Sequence, residues 1–163
     1  LQAKTPWDAI DIAETALRNL SALCEPENRA QALLHCQSDH STLVVTYQGE
    51  LLFARRMDLS LEQLAHADDA TRTAANDHAV LQLQRTLDGF ERSFGQVTLA
   101  RLLIAPMPGQ AAFIEHLAPL LYVSVEALAL GDILNLDQLP PGSTGPDQLN
   151  LHVCAIGAAL RDD

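Results

Sequence analysis

Residues 32–59, ALLHCQSDHSTLVVTYQGELLFARRMDL, decide the fold. Leu43, Val45 and Tyr47 alternate with Val44, Thr46 and Gln48; beyond Gln48-Gly49 the pattern resumes with Leu51, Phe53, Arg55 and Met57 against Leu52, Ala54 and Arg56. Two β-rich runs joined at a glycine-containing tight turn make a hairpin. An earlier run, around 31–37, supplies a first strand, so the whole stretch reads as a three-stranded antiparallel meander. Apolar residues fall in both alternating sets at Val44, Val45, Leu51, Leu52 and Phe53, which predicts cover on both faces of the ribbon. A layered α/β domain follows, rather than an open sheet.

Upstream of the meander, Asp11 and Glu14 have the spacing of a capping box, and Ala13, Ala16, Leu17, Leu20 and Leu23 repeat at helical spacing as far as Pro26. Downstream comes a polar stretch, 66–76, with room for a short helix before it. A long helix over 77–94 is then predicted by Val80, Leu83, Leu87, Phe90 and Phe94, with Gly95 as its stop. An apolar strand over 97–104 runs into the breaker Ala105-Pro106-Met107-Pro108-Gly109. A helix carrying Phe113, Ile114, Leu117, Leu120 and Leu121 leads to a second apolar strand over 122–128. The Pro/Gly-rich segment 139–146 reads as a mobile surface loop. The last helix, 147–160, is predicted to bury Leu149, Val153, Ile156 and Leu160.

Composition excludes several classes of function. At 163 residues and 48% hydrophobic the chain can bury one substantial core, so one domain is expected. Ten basic against 21 acidic residues give a net charge of -11, with no Lys/Arg cluster beyond Arg55-Arg56, and a nucleic-acid or anionic-lipid surface is not expected. An aromatic content of 4% also argues against base-stacking platforms. No apolar run is long enough to span a bilayer and no signal peptide opens the sequence. The first residue is Leu1 rather than Met, which suggests an excised fragment. Cys24, Cys36 and Cys154 form no C-x-x-C pair and are odd in number, which fits a reduced, cytoplasmic setting.

The predicted order is β-β-β-α-β-α-β-α, preceded by one helix. A meander continuing into β-α-β units must build a mixed sheet with helices on both faces. This is the plan of a ribonuclease-H-like half of an actin-like ATPase fold. Four segments, DAIDIAETALRNLSAL (8–23), STLVVTYQGELLFARRMDL (41–59), LQRTLDGFERSFG (83–95) and AIGAALR (155–161), in this order and spacing, resemble the second half of the PilM and MshI family. These are the actin-like proteins of type IV pilus and agglutinin-pilus assembly. The resemblance implies that residues 1–25 hold a connector helix from a preceding half and that 26–163 form the second subdomain. Order alone serves equally well for a first helix that simply packs on the sheet.

In nucleotide-binding members of this superfamily the first turn of the meander carries a D-I-G-x-x-x-T pattern. Its carboxylate organises magnesium, and its glycine lets backbone N–H groups approach phosphate. Aligned on Leu33-Leu34 and Thr42, this chain has His35 in place of the Asp and Gln37 in place of the Gly, with Ser38 following. An imidazole does not replace a magnesium-binding carboxylate. The superfamily's adenosine loop carries a Gly-Gly pair, whereas here Ala105, Pro106 and Gly109 stand in a stiff, proline-rich segment, with Gly109 read as the start of the next helix. Bound ATP and magnesium are therefore disfavoured, and no catalytic residue and no cofactor are expected.

Other constellations have simpler readings. His35, Cys36, Asp39 and His40 are zinc-ligand types, but the strand period sends His35 and Cys36 to opposite faces, so a polar turn is expected and no metal. Ser38-Asp39-His40 holds triad residue types adjacent in sequence, whereas a triad converges from separate elements. Cys24 and Cys154 are expected as small core residues on helices, and His116 and His152 at helix surfaces or boundaries. Arg55-Arg56 is either a docking pair or a charge that keeps an edge strand from aggregating.

The expectation is thus a non-catalytic cytoplasmic scaffold of a type IV pilus or related secretion assembly. By the resemblance it would lie peripheral to the inner membrane and bind a membrane-anchored PilN-like partner, through residues the sequence does not identify. The alternative is an ATP-binding actin-like protein whose nucleotide residues lie mainly in a preceding half; a third reading is a general interaction domain of the same fold. An extended peptide could also add to a free sheet edge. An actin-like half normally buries one side against its twin, so an exposed apolar patch or a homodimer is expected.

Overall fold

The computed structural model of the protein describes residues 12–137 and 139–161. Three strands form the meander: β1 (Ala30–Cys36), β2 (Ser41–Tyr47) and β3 (Glu50–Met57). The β2–β3 turn places Gln48 and Gly49 at φ 53° and 77°, the double positive φ that such two-residue hairpins require. Glu25 steadies it by accepting a hydrogen bond from Gly49 N–H at 2.7 Å. Strands β4 (Leu99–Ile104) and β5 (Ser124–Ala127) complete the sheet in the order β3-β2-β1-β4-β5. β2 is antiparallel to both neighbours, whereas β1, β4 and β5 are parallel. This is the ribonuclease-H-like arrangement.

The period of two sends alternate residues to two separate cores. Ala32, Leu34, Leu43, Val45, Leu102 and Ile104 face α3 (Asp69–Ser93) and α4 (Gln110–Leu117). Leu33, Val44, Leu103 and Ala105 face α1 (Ala13–Ala22), α5 (Leu130–Ile133) and α6 (Pro146–Ala159). The central strands β1 and β2 are buried on both sides, while β3 and β5 form the edges of the sheet.

Several boundaries differ from the sequence reading. The long helix begins at Asp69 rather than Asp77: Asp68 caps it by accepting from Thr71 N–H at 2.8 Å, and its first two turns are polar because they lie in solvent. The short α2 (Leu61–Leu64) precedes it, capped by Ser60. Both later strands are shorter than their apolar runs: β4 begins at Leu99, and before β5 begins Leu121 and Val123 are buried as part of the connection from α4. Helix α5 has no counterpart in the sequence reading. Pro146 belongs to the last helix as its first residue, where its missing N–H costs nothing. Asp11 lies outside the described residues; in α1 the backbone N–H of Ile12 bonds to the Thr15 hydroxyl. Cys24 sits in the turn after α1, and both Cys24 and Cys154 are half-buried rather than core residues.

Helix α1 rests on β2 and α6 through a set of buried polar side chains. Ser21 Oγ and Thr46 Oγ1 are 2.7 Å apart, and Gln31 Nε2 donates to the Ser21 carbonyl at 3.1 Å. Arg101 then donates to Gln31 Oε1 at 2.8 Å, to the Cys24 carbonyl at 2.7 Å and to Glu126 at 2.9 Å. Each buried polar atom named here has a partner, which a low-dielectric interior demands.

Candidate functional site

In a sheet of this order the chain leaves β1 toward β2 and leaves β4 toward β5. The crevice beyond the carboxyl ends of β1 and β4 is therefore where such folds bind ligands. Two connections line it, 37–40 and 105–109.

The first is a tight turn whose backbone is already committed. Gln37 N–H donates to the His40 carbonyl at 2.7 Å, and the Gln37 carbonyl accepts from Leu61 N–H at 2.7 Å. Ser38 and Asp39 form the exposed tip. The His40 ring, 2.7 Å away, holds the Asp39 carboxyl below its usual range, with a smaller contribution from Arg56 at 3.6 Å. Thr42 is buried within β2, paired in register with His35.

The second connection is closed by its own packing. Ala105 N–H donates to the Leu34 carbonyl at 2.8 Å, and Gln110 Nε2 reaches back to the Ile104 carbonyl at 2.8 Å. Pro106 and Pro108 have no N–H, so Met107 and Gly109 supply the segment's remaining ones. Met107 is buried in the α3 core, and Gly109, at φ 69°, is the N-cap of α4.

Between the two connections lies Asn150 of α6. Its Nδ2 donates to the carbonyls of Cys36 and Pro106, each at 2.9 Å, joining the end of β1 to the exit of β4. The backbone carbonyl of Asn150 accepts from His35 Nε2 at 3.1 Å, which fixes the proton on that nitrogen. The other ring nitrogen, Nδ1, faces Cys154 Sγ at 3.7 Å. His35 is 2% exposed, and burial pulls its pKa below the usual histidine value against the opposing effect of the Asn150 bond. Burial also pushes the Cys36 thiol up to about 11 and raises Cys154, so both are held as thiols.

Helix α6 is held in this position at its other end by a close approach. A Cβ on Gly157 would stand 2.1 Å from the Ala16 carbonyl oxygen, so glycine is required where α6 crosses α1. Asn19 Nδ2 donates to the Gly157 carbonyl at 2.9 Å and secures the crossing.

The expected site residues thus separate. His35 turns inward to α6, whereas Cys36 points to the opposite core, as the pleat dictates. Asp39 and His40 pair with each other in the turn, and among the described residues no three metal-ligating side chains converge. His116 bonds Asp77 at 3.0 Å between α4 and α3, and His152 is exposed on α6. Arg55 and Arg56 stand on the edge strand β3. Two cavities, about 460 Å³ beside Asp58, Gln63 and His78 and about 540 Å³ beside Glu91, Thr98 and Tyr122, are lined neither by Asn150 nor by a residue of either connection.

No protein-family model matches the chain, and no curated protein does. Among solved structures it is similar to the PilM–PilN type IV pilus biogenesis complex, at 17% identity and a TM-score of 0.57, over 92% of this chain and 53% of that one. The fold is actin-like. The chain also aligns with a Ppx/GppA phosphatase of Aquifex aeolicus (13% identity, TM-score 0.45, 61% of this chain and 35% of that one). A further match is the ethanolamine utilization protein EutJ from Carboxydothermus hydrogenoformans (10%, 0.45, 89% and 53%). The chain spans about half the length of the PilM–PilN chain it matches. Among the described residues no helix is long and apolar enough to cross a membrane.

Asn150 and Gly157 escaped the sequence reading. Their signal was present as a polar residue and a glycine on the face of α6 that also carries Val153; of the four residues expected to be buried there, Val153 is, and Leu149, Ile156 and Leu160 are only partly so.

Proposed function

We propose that this chain is a non-catalytic actin-like module of a type IV pilus or related secretion assembly. It would act in the cytoplasm, peripheral to the inner membrane, as a scaffold for a membrane-anchored PilN-like partner. In that arrangement α1 joins the module to a preceding half of the protein. The observation that carries the non-catalytic part is Asn150, whose amide spans the two strand ends at which a nucleotide's phosphates would have to enter. His35 and Gln37 at the adjoining turn, and the two prolines of 105–109, offer neither the carboxylate for magnesium nor the glycine approach to phosphate. The pilus assignment is supported by the four sequence segments in their order and by the actin-like fold.

The test is a titration of the full-length protein with a synthetic peptide from the cytoplasmic end of a PilN-like partner, followed by calorimetry. Saturable binding at one peptide per chain is the expected result. Absence of binding, with the protein folded, would remove the pilus reading and leave a general interaction domain.

A further inference from the structure

The edge strand β3 is fitted to pair with itself. Its residues, Glu50-Leu51-Leu52-Phe53-Ala54-Arg55-Arg56-Met57, place an acid at one end, two bases near the other and an apolar centre between. On one side β3 bonds to β2; on the other, no described backbone group bonds to it. Free edges of this length, unblunted by proline, are templates for another strand. Glu50 and Arg55 are both exposed, and neither forms an ion pair among the described residues, whereas Arg56 has Asp39.

The faces of the strand select the register. Phe53, Arg55 and Met57 stand opposite Val45, Leu43 and Ser41, on the α3 side of the sheet, and Ala54 and Arg56 stand on the α6 side. A bulge follows, with Thr46 opposite Leu51 and Tyr47 opposite Glu50. It carries Leu52 to the α3 side with Phe53, puts Leu51 on the α6 side and returns Glu50 to the α3 side. In a two-fold antiparallel pairing centred between Leu52 and Phe53, Leu52 meets Phe53, Leu51 meets Ala54, and Glu50 meets Arg55. Every opposed pair then lies on one face, as the pleat requires, and each unpaired carboxylate meets an unpaired guanidinium.

We infer that the β3 edge is a homodimer interface, joining two copies of this chain into one continuous ten-stranded sheet with two Glu50–Arg55 ion pairs across it. The occupant is a second copy because the strand's charge order is complementary to its own reverse, and a closed two-fold contact uses both edges at once. This inference stands apart from the pilus reading and does not need it.

The experiment is sedimentation of the whole chain over a wide concentration range, with far-UV circular dichroism to verify folding. The wild type is expected to dimerise, more weakly at high salt. Because each substitution acts twice by symmetry, Glu50→Arg or Arg55→Glu alone is expected to weaken the dimer roughly tenfold, and the double exchange to restore it. Both residues are exposed on the surface, so the variants retain the core. A wild type that stays monomeric, single variants with unchanged association, or a double variant that fails to recover would each overturn the inference. So would stronger association in Arg55→Glu, which would mean that the arginine only guards the edge.

Discussion

Two buried polar clusters sit under the same face of the sheet, and they are built in opposite ways. At the α1 end, Gln31, Ser21 and Thr46 are linked by side-chain bonds to Arg101, which reaches the surface and Glu126. At the α6 end, the neutral side-chain amide of Asn150 donates to backbone carbonyls at two strand ends, and the backbone carbonyl of the same residue accepts from His35. The first is a network of several members, of which Arg101 is partly exposed. The second is a single plug: remove it and two buried carbonyls lose their donor together. The two clusters differ in what each holds together: the first ties side chains to one another, the second ties the backbone at the end of β1 to the backbone beyond β4.

The contrast has measurable consequences. The largest is at the crossing that positions the plug: Gly157→Ala should cost about 3 kcal/mol, since its methyl must displace the Ala16 backbone, and denaturant unfolding would show it. Asn150→Ala should cost about 2 kcal/mol. In hydrogen exchange its damage should concentrate on α6 and the 105–109 connection while α1 keeps its protection; equal loss over both helices would mean that the two clusters are one unit.

The pH response should report on the α6 end. His35 titrates below its ordinary value of 6.5 in the folded state, so the native protein binds fewer protons than the unfolded chain as pH drops. The stability contributed by His35 is complete above 6.5 and declines as pH falls below it, and His35→Gln should flatten that slope. The lowered carboxyls of Asp39 and Asp68 act in a separate window, below their ordinary 3.8. At the α1 end, Gln31→Ala should cost about 1 kcal/mol, because water can reach Arg101. Glu126→Gln, on a half-exposed ion pair, should change stability by less than about 0.5 kcal/mol.

How far the sequence carries depends on the range over which each feature is encoded. The meander was readable because alternation and the Gln48-Gly49 turn are local, and the order of strands and helices then limited the topology to a few choices. The start of α3 was not, because its first two turns are solvated and carry no apolar period, so only the Asp68 cap marks them. The residues at 35, 37 and 105–109 could be located by their spacing from the strands. What packs between those two connections could not, since Asn150 lies 114 residues from Cys36, and the close approach of Gly157 to Ala16 joins the two ends of the described chain. A polar residue inside a helix looks the same in sequence whether it faces water or two strand ends.

The central claim is that the carboxyl end of this sheet is filled by α6 and does not take nucleotide. It is tested most directly by following backbone amide resonances of the whole chain during titration with magnesium and ATP. The account predicts no saturable shifts at residues 37–40 or 105–109 and no change at Asn150. Saturable, magnesium-dependent shifts confined to those two connections, with the Asn150 side-chain amide released from its carbonyl partners, would contradict it.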